Sequence, residues 1–508
     1  MLDDSQIREN ILLDNESLVI MASAGSGKTT IMTNKIRKDL EGNKSHYTVA
    51  AVTFMRKAAK DIRSKLGKGY SNVFVGTNDS FVEQEIILPF INDLYPEVGN
   101  YTIKYDRKFN NYSQGIQLLK TENIIGVYRD GGKRNFKFDL ALDILKNSEA
   151  ASQYLKAKYF KLFIDEYQDS DQSMHDFFMW LIDELKIKLF IVGDEKQSIY
   201  KWRGAFPLNF VNLTSNTKFK TYQLTRNFRS EIDIQNFANS LYETTSRNIV
   251  EQKDVKNVVL VNPNNENLTK VEIVVRLIET LELDINKEIT VIINVNTEIT
   301  DFISEINELG YNFSFIPKTP IDGAFKNTNF LQELATYYFD INQNEYDLIE
   351  EIVGDYTLDQ INKLKDILKD FKYSIKTTKI LEDTIIDLYN FFEIAINIEE
   401  VTALVLTLED ESNSIAFNSE KIKHKALTVF TSKGLEFDQV VSFSNYYFGT
   451  NNFGYKVNKF EDHYVCITRA KEKFIMIYEN FQYGLNINEI IKNNTGLSMN
   501  NFMKIYKS

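Results

Sequence analysis

The sequence is poor in the residues that build disulfide frameworks and metal clusters. Its 508 residues include one cysteine, Cys466, and four histidines. A single cysteine excludes an internal disulfide and a cysteine-cluster zinc site, and the scattered histidines add no metal-binding pattern. Long uncharged apolar runs are also missing, and the opening segment MLDDSQIREN is acidic and polar, unlike a signal peptide. These absences predict an intracellular, cytoplasmic protein with no membrane partner.

Positive charge is in deficit. Lysine and arginine together number 59 against 71 aspartates and glutamates, so the net charge is −12. This balance argues against a protein that coats nucleic acid nonspecifically, although it is compatible with a local basic groove. The hydrophobic share of 43% and the charged share of 26% are those of an ordinary globular protein, and the length allows two to four domains.

The first third of the chain alternates short β-branched runs with amphipathic stretches. The predicted strands lie in SLVIMA, TVAAVTF, NVFVGT, YFKLFIDE and IKLFIVGD. Nearly continuous apolar strands that each end in a polar cluster are typical of a buried parallel sheet whose functional residues lie at the carboxyl edge.

A second α/β pattern begins near Thr221. Its predicted strands lie in KEITVIINV, YNFSFIP, ALTVFTS, QVVSFSN and FIMIYEN. Between the first two, EITDFISEINELG predicts a helix that Gly310 ends. The residues predicted to share one face of this helix are Ile299, Phe302, Ile303, Ile306 and Leu309.

Two mainly helical segments interrupt these patterns, at about residues 82–158 and 318–423. We therefore predict an α/β fold with two parallel-sheet domains, residues 1–220 and 221–508, each carrying a mainly helical insertion. The segment RDGGKRNFKF in the first insertion predicts either a nucleic-acid contact or a solvated hairpin tip. Its relevant residues are Arg129, Lys133, Arg134, Phe136, Lys137 and Phe138.

The segment LVIMASAGSGKTTIM departs from the strict phosphate-loop pattern, because Ala22 stands where the first glycine is expected. Small residues nevertheless let backbone N–H groups surround phosphate oxygens, and Lys28 can reach the β- and γ-phosphates. Thr29 can offer its hydroxyl to Mg²⁺. The alternative is a tight strand-to-helix turn with a surface lysine. The residues predicted to form the loop are Ala22, Ser23, Ala24, Gly25, Ser26, Gly27, Lys28, Thr29 and Thr30.

Two carboxylates, Asp165 and Glu166, follow the apolar strand in KLFIDEYQDSD. One can hold Mg²⁺, while the other orients and deprotonates an attacking water molecule. Adjacent acidic residues after a strand can also be ordinary loop polarity. Together with a phosphate loop, the pair indicates a nucleotide hydrolase.

The segment FIVGDEKQSIYKWRGA offers a second polar cluster after a strand. Gln197 stands where an amide could sense the γ-phosphate, and Trp202 follows five residues later. A tryptophan is more often a core anchor, but Lys201 and Arg203 flank this one, which favours base stacking on a single strand.

The order of these blocks resembles that of the superfamily 1 DNA helicases of the UvrD/Rep/PcrA type, along the whole chain. The blocks that carry the resemblance are ASAGSGKT, AVTFMRKAAKDIRSKL, FIDEYQDSD, VGDEKQSIYKWRGA, LTRNFRS, TVFTSKGLEFDQVV and DHYVCITRAKEK. The resemblance implies two RecA-like domains that bind ATP and Mg²⁺ in the cleft between them.

The same resemblance assigns roles to individual residues. It implies that Gln6 reads adenine, Phe228 stacks on it and Glu436 binds the ribose. Arg229 is expected to touch the γ-phosphate, and Arg469 to act as the arginine finger. The residues it implies as DNA contacts are Phe54, Thr77 and Trp202.

Three positions depart from the family pattern. Asn78 and Asp79 stand where larger helicases carry an aromatic residue and a histidine, and Phe430 stands where they carry another histidine. These positions bear on DNA contact and on the coupling of hydrolysis to movement. The departures favour ATP hydrolysis over processive unwinding.

The sequence is also similar to the helicase-like GajB subunits of Gabija anti-phage systems, in GTNDSFVEQEIILPFI, FIDEYQDSD and KIKLFIVGDEKQSIY. That similarity implies a hetero-oligomer with a GajA-type DNA endonuclease. The expected activity is a DNA-dependent ATPase and 3′-to-5′ DNA helicase or translocase acting on single-stranded or end-containing DNA. The alternatives are a DNA-end-activated NTPase without unwinding and a regulatory subunit of the nuclease.

Overall fold

The computed structural model describes most of the chain, and its residues fall into two compact units. The larger unit comprises Met1–Glu298 with Leu427–Ser508, and the smaller unit comprises Ile299–Ala426. The described residues are 4–41, 43, 45–70, 72–129, 134–263, 268–315, 319–322, 325, 327–340, 345, 348, 357–373, 377–417, 422–450 and 456–507.

The strands, in chain order, are β1 (Leu18–Ala22), β2 (Thr48–Thr53), β3 (Phe74–Thr77), β4 (Thr102–Phe109), β5 (Ile124–Tyr128), β6 (Tyr159–Ile164), β7 (Lys188–Gly193), β8 (Lys220–Leu224), β9 (Val258–Asn262), β10 (Ile289–Ile292), β11 (Phe313–Phe315), β12 (His424–Leu427), β13 (Phe437–Phe443), β14 (Phe448–Thr450), β15 (Lys456–Asn458), β16 (Ala470–Ile477) and β17 (Lys504–Lys507).

The α-helices are Asp4–Leu13, Lys28–Glu41, Arg56–Leu66, Asn78–Val82, Leu88–Leu94, Tyr112–Glu122, Phe136–Asn147, Glu149–Lys158, Gln172–Trp180, Pro207–Leu213, Ile232–Ser240, Glu243–Ser246, Lys270–Glu279, Asn296–Glu308, Thr328–Phe339, Leu358–Tyr373, Thr378–Phe391, Ile398–Glu409, Ser414–Phe417, Val429–Ser432, Phe460–Ile467 and Phe481–Thr495. In the described part of the chain, no helix has the length and apolarity needed to cross a membrane.

The first sheet has six strands in the order β3-β2-β6-β7-β1-β8, and all of its pairings are parallel. Alternate residues of β1 enter different core clusters, Val19 on one face and Leu18 and Ile20 on the other. Both faces are therefore covered, as a parallel sheet requires. The predicted strands in SLVIMA, TVAAVTF, NVFVGT, YFKLFIDE and IKLFIVGD are confirmed as β1, β2, β3, β6 and β7.

The predicted start of the second domain at Thr221 is wrong. Thr221 lies inside β8, which pairs in parallel with β1 from Leu18↔Lys220 to Ala22↔Leu224. The KTYQL sequence of this half-exposed edge strand lacks the continuous apolar run that marked the other strands. The chain therefore leaves the first sheet only after Leu224. The remaining domain boundaries stay predictions.

The second sheet of the larger unit contains the parallel run β10-β13-β16-β9-β17. The predicted strands in KEITVIINV, QVVSFSN and FIMIYEN are confirmed as β10, β13 and β16. The strand predicted in ALTVFTS is only partly right, because Val429–Ser432 is a helical turn. The Thr428 side chain caps this turn by accepting a hydrogen bond from the Thr431 N–H, 3.2 Å away.

The first insertion packs its aromatic residues inside, which corrects the prediction for RDGGKRNFKF. Phe136 and Phe138 are buried in the core at the start of the Phe136–Asn147 helix, and Lys137 is buried 3.3 Å from Glu83. Arg134 is held by Asp139. The two rings are therefore unavailable for base stacking, but Arg134 is exposed, and residues 130–133 at the predicted tip lie outside the described part of the chain. Arg129 is exposed, and Lys133 lies outside the described residues.

The smaller unit has its own core. Its strands β11 and β12 pair in parallel, and its helices bury a cluster centred on Leu334, Leu388 and Leu404. The helix predicted in EITDFISEINELG is confirmed as Asn296–Glu308, with Gly310 at a φ of 87° just beyond it. Leu309, predicted to share one helix face with Ile299 and Phe302, follows the helix end and is exposed.

A buried ion cluster stabilises the first domain. The Asp39 carboxylate contacts the ammonium groups of Lys35, 2.5 Å away, and Lys161, 2.7 Å away. Both lysines are buried, and burial lowers the pKa of Lys161. Since one carboxylate compensates two buried cations, its charge is needed for stability.

We expect Asp39→Asn to lower the free energy of unfolding by about 3–5 kcal/mol, because it leaves both lysines uncompensated. Thermal unfolding followed by circular dichroism measures the change. The matched control is Asp183→Asn, which removes an exposed pair with Lys218 and should cost about 1 kcal/mol or less. Equal shifts in the two variants would contradict the assignment.

Candidate nucleotide site

The predicted nucleotide-binding groups lie at one edge of the first sheet. The loop 23–27 follows β1, Asp165 and Glu166 follow β6, and Gln197 lies shortly after β7. Because these strands are parallel, their carboxyl ends meet at the same edge. The topology therefore brings together residues that are far apart in the sequence.

The loop after β1 has the backbone shape of an anion cradle. Gly25 and Gly27 have φ values of 70° and 77°, in the region that favours glycine. A Cβ at Gly25 would also stand 2.1 Å from Asn227 Oδ1. The Ser26 hydroxyl is buried and has no hydrogen-bond partner among the described residues. With the Lys28–Glu41 helix beginning directly after it, the loop fits a phosphate group.

Lys28 lies between the loop and a carboxylate. Its ammonium donates to the Ala22 carbonyl at 3.4 Å and lies 3.8 Å from Glu166 Oε1. Thr29 is partly buried on the first turn of the helix, and Thr30 is exposed. The cation is therefore placed where a phosphate in the loop would also contact it.

The two carboxylates after β6 are held at a backbone turn. Glu166 has a φ of 53°, and its N–H donates to Asp165 Oδ1 at 2.9 Å. Burial and the negative charge of Glu166 raise the pKa of Asp165 to about 7. Burial also acts to raise the pKa of Glu166, but Lys28 and Lys433 outweigh it and lower that pKa.

This donor set fits Mg²⁺. The Asp165 carboxylate and the Thr29 hydroxyl are hard oxygen ligands, and the crowded negative charge at Asp165 would be relieved by a cation. The described residues contain no cluster of three metal-ligating side chains. Mg²⁺ bound with a nucleotide does not need one, because phosphates and water complete its coordination.

Arg469 is buried and reaches from the second sheet to the first. Its guanidinium donates to the Val465 and Leu435 carbonyls and, through Nη2, to Gln197 Oε1 at 3.1 Å. The Gln197 amide in turn donates to Asp194 at 2.7 Å. Burial and the nearby charge of Arg229 lower the pKa of Arg469 to about 9. The predicted arginine finger and γ-phosphate sensor are therefore hydrogen-bonded to each other.

Lys433 makes a second link between the sheets, and sequence reasoning missed it. Its buried ammonium donates to the Asp169 carboxylate and to the Gln197 carbonyl at 2.8 Å, and lies 4.0 Å from Glu166 Oε2. The SKGLEF block contains this lysine, but only Glu436 of that block was given a role. The available signal was a lysine between a partly buried helical turn and the strand β13, within a block that already carries the family resemblance.

Arg229 and Glu436 pair with each other. Arg229 Nη2 lies 2.5 Å from Glu436 Oε1, and Nη1 donates to the Thr468 carbonyl at 3.0 Å. The Arg229 Nε is buried without a hydrogen-bond partner in the described part of the structure. The carboxylate predicted for the ribose thus holds the arginine predicted for the γ-phosphate.

Phe228 offers an exposed ring beside the phosphate loop. Its ring is 59% exposed, and its N–H donates to the Gly25 carbonyl at 2.9 Å. Arg8 and Arg226 lie over the ring at 5.1 and 4.9 Å. Arg8 was also missed, although it follows Gln6 by two residues; it donates to the Ser26 carbonyl at 2.5 Å. Gln6 is exposed on the same helix.

Known proteins share these blocks. Residues 3–126 and 92–218 match the UvrD/REP helicase N-terminal domain family. The chain is 43% identical over 492 residues to the Gabija protein GajB of Bacillus cereus, a match that covers 96% of this chain and 97% of that protein. The chain belongs to the GajB family. The two RecA-like parallel-sheet domains predicted from the sequence are confirmed.

GajB-family membership comes with similarity to larger helicases. The chain is 28% identical over 300 residues to the ATP-dependent DNA helicase PcrA of Staphylococcus epidermidis, and 27% identical over 275 residues to the ATP-dependent DNA helicase Rep of Escherichia coli. These matches cover 48% and 44% of the chain but 40% of each helicase. The chain therefore matches less than half of either relative.

An aromatic group adjoins the nucleotide site in this GajB-family protein. Phe54 stacks on Tyr200 with ring centres 5.8 Å apart, and Phe430 lies 6.1 Å from Tyr200. Trp202 is 62% exposed and meets Phe430 edge-on at 5.9 Å. This exposure excludes a core anchor, and base stacking by Trp202 and Phe54 remains a prediction.

The GTNDSF block contains two of the positions that depart from the helicase pattern, Asn78 and Asp79. Asn78 is buried, and its amide atoms have no hydrogen-bond partners among the residues described. Asp79 lies 4.0 Å from Lys137. Thr77, a predicted DNA contact, caps the Asn78–Val82 helix by accepting a hydrogen bond from the Ser80 N–H. The GTNDSF block is therefore organised around its own helix start.

We expect Glu166→Gln to keep ATP binding and to lose most turnover, because it removes the base but keeps a similar shape. Lys28→Ala should weaken both, since it removes a phosphate counter-charge. A fluorescent ATP analogue measures binding, and phosphate release measures turnover. The control is Glu16→Gln, an exposed position outside the site. Near-normal hydrolysis by both site variants would refute the assignment.

Proposed function

We propose that this GajB-family protein is a DNA-dependent ATPase and 3′-to-5′ DNA translocase or helicase that acts with a GajA-type endonuclease. The observation that carries the proposal is the pair of hydrogen bonds joining the two sheets at Gln197. Arg469 reaches its side chain at 3.1 Å, and Lys433 reaches its carbonyl at 2.8 Å. In this proposal, ATP hydrolysis at the edge of the first sheet is linked through these hydrogen bonds to the position of the second sheet.

In this proposal Lys28 and Thr29 hold the phosphates, and Asp165 holds Mg²⁺. The metal ion, when bound, neutralises charge on the β- and γ-phosphate oxygens. Glu166 orients the attacking water molecule and takes its proton, for which its lowered pKa keeps it ionised at neutral pH. Gln168 Nε2 donates a hydrogen bond to that carboxylate, and the positive charge of Lys433 lies 4.0 Å from it.

The Gln197 amide oxygen marks where a phosphate oxygen would compete for Arg469. A buried guanidinium must keep its hydrogen bonds, and a γ-phosphate oxygen is a stronger acceptor than an amide. Binding of ATP would therefore redirect Arg469 from Gln197, and hydrolysis would return it. Since Arg469 lies directly before β16, this exchange would change the closure of the two domains.

The segment after Gln197 supports coupling to DNA. Ile199, Tyr200 and Ala205 follow a strand of the first sheet but pack into the core of the second sheet. The exposed Trp202 lies between them in the sequence. A single strand that stacks on Trp202 would therefore contact the same segment that Arg469 and Lys433 hold.

The proposals for the partner and the substrate are based on similarity to known proteins. Family membership supports the GajA-type partner, and the helicase relatives support DNA as the ligand. Single-stranded and end-containing DNA are both proposed substrates. Turnover measured with each, and with a GajA-type subunit present, tests these assignments separately.

A second candidate is a DNA-end-activated NTPase that senses DNA without unwinding it. The buried Asn78 and the paired Asp79 favour it, because neither offers the aromatic and histidine contacts of the larger helicases. Strand displacement separates the candidates: ATP turnover without displacement supports the sensor. If a GajA-type nuclease stays controlled by the Glu166→Gln subunit, the chain is instead a regulatory subunit.

We expect Arg469→Ala to lose DNA-stimulated turnover by about 10³-fold or more, the scale of an arginine finger. DNA affinity without nucleotide should change little, and ATP affinity should fall modestly because the phosphate loop stays whole. Steady-state turnover and equilibrium binding measure the three quantities. Arg247→Ala, at an exposed position, is the matched control. Stimulation near the wild-type level would rule out the two-domain mechanism.

We expect Trp202→Ala to spare basal hydrolysis and to reduce its stimulation by single-stranded DNA. Losing one stacked base costs on the order of 1–3 kcal/mol, so the DNA concentration for half-stimulation should rise. The control is Trp180→Ala, at the other tryptophan, which packs against the first-domain core. Unchanged stimulation would show that Trp202 does not contact the strand.

A further inference from the structure

A cavity of about 500 Å³ lies in the second domain, between the Glu243–Ser246 and Phe481–Thr495 helices. Tyr242, Phe448 and Phe460 line it. The Tyr242 and Phe460 rings are 5.0 Å apart, and the Phe448 and Phe460 rings are 6.4 Å apart. None of these residues belongs to the nucleotide site described above.

The polar lining of the cavity is acidic and neutral. Glu243 and Glu489 line it together with carboxamides that include Asn486 and Asn493, and no lysine, arginine or histidine of the described lining joins them. Both glutamates are exposed. Lys196 lies 5.9 Å from the Tyr242 ring centre, but its charge is paired with Asp194. The two glutamates therefore leave the lining with negative charge, which disfavours phosphate and favours a cation.

The residues of the lining favour an organic cation over a metal ion. The described residues place no cluster of three metal-ligating side chains here, and the cavity is far larger than one metal ion. Aromatic rings next to carboxylates suit a guanidinium or alkylammonium group, which binds rings through cation–π contacts and carboxylates through charge-assisted hydrogen bonds.

The surface beside the cavity indicates that the cation is carried by a polypeptide. Phe481, Leu485 and Glu489 follow one another at four-residue spacing, so they share one stripe of the Phe481–Thr495 helix. Phe481 is 72% exposed and Leu485 is 49% exposed. Two neighbouring exposed apolar side chains that lead to an acidic cavity match an arginine or lysine flanked by apolar residues.

We propose that this cavity binds an arginine or lysine side chain of a partner polypeptide, with Phe481 and Leu485 contacting the apolar residues that flank it. None of the residues that line the cavity was assigned to the nucleotide site or to DNA contact. It gives the second domain a protein-binding role in addition to its part in ATP hydrolysis.

The test uses four mixtures of capped, fluorescent pentapeptides with the full chain. The central residue is arginine, lysine, citrulline or glutamate, and the flanking positions are mixtures of leucine, isoleucine, valine and phenylalanine. Citrulline keeps the shape of arginine without its charge. Fluorescence anisotropy should give affinities for the arginine and lysine mixtures about tenfold or more above that of citrulline.

Paired variants assign the preference to the cavity. The double variant Glu243→Gln with Glu489→Gln should remove the preference for the arginine and lysine mixtures over citrulline. Phe481→Ser should lower the affinity for the arginine and lysine mixtures. The matched control is Asp383→Asn with Asp387→Asn, two exposed acidic positions of the smaller unit, which should leave it intact. Thermal unfolding confirms that each variant folds.

Three results would overturn the proposal. The first is equal affinity for the cationic and citrulline mixtures. The second is a preference that survives the double glutamate change. The third is binding of free spermidine that needs both glutamates, without any preference among the peptides, which would make the cavity a polyamine site.

Discussion

The hydrogen bonds at Gln197 are the interaction on which the rest of the site depends. A buried arginine and a buried lysine from the second domain both reach this residue, which follows a strand of the first. Burying a cation is costly unless acceptors surround it. Arg469 and Lys433 must therefore keep these contacts or exchange them for other acceptors, and in the proposed function a phosphate held by the neighbouring loop is that acceptor.

The cost of burying charge also explains why the two neighbouring carboxylates differ in pKa. Burial and the neighbouring charge of Glu166 raise the pKa of Asp165 to about 7, whereas Lys28 and Lys433 lower the pKa of Glu166. Adjacent residues of like type thus acquire different chemistry from their surroundings. One is suited to a metal ion and the other to a water molecule.

The residues that depart from the pattern of the larger helicases are Asn78, Asp79 and Phe430. They lie outside the predicted phosphate loop and outside the carboxylate pair after β6. The loop after β1 and the pair after β6 have the geometry that nucleotide chemistry needs, whereas Asn78 is buried and Asp79 pairs with Lys137. The segment after β3 that carries Asn78 and Asp79 is separate from the loops after β1 and β6, so substitutions at one need not alter the others.

The strands could be predicted from the sequence where a short continuous run of apolar residues marks them. Continuous apolar runs revealed five strands of the first sheet, but the polar edge strand β8 was missed because its KTYQL sequence carries no such run. Phe136 and Phe138 looked like stacking residues beside lysine and arginine, yet they are core, because sequence neighbours do not report which side of a helix faces the interior.

The sequence by itself determined the class of the protein: the two parallel sheets, the phosphate loop and the carboxylates that follow β6 all depend on residues close together in the chain. Only the tertiary structure decided that Lys433 and Arg469 both bind Gln197 and that Phe136 and Phe138 are core residues. Arg469 and Gln197 are 272 positions apart. Contacts of that separation are set by how the domains pack, and no local pattern records them.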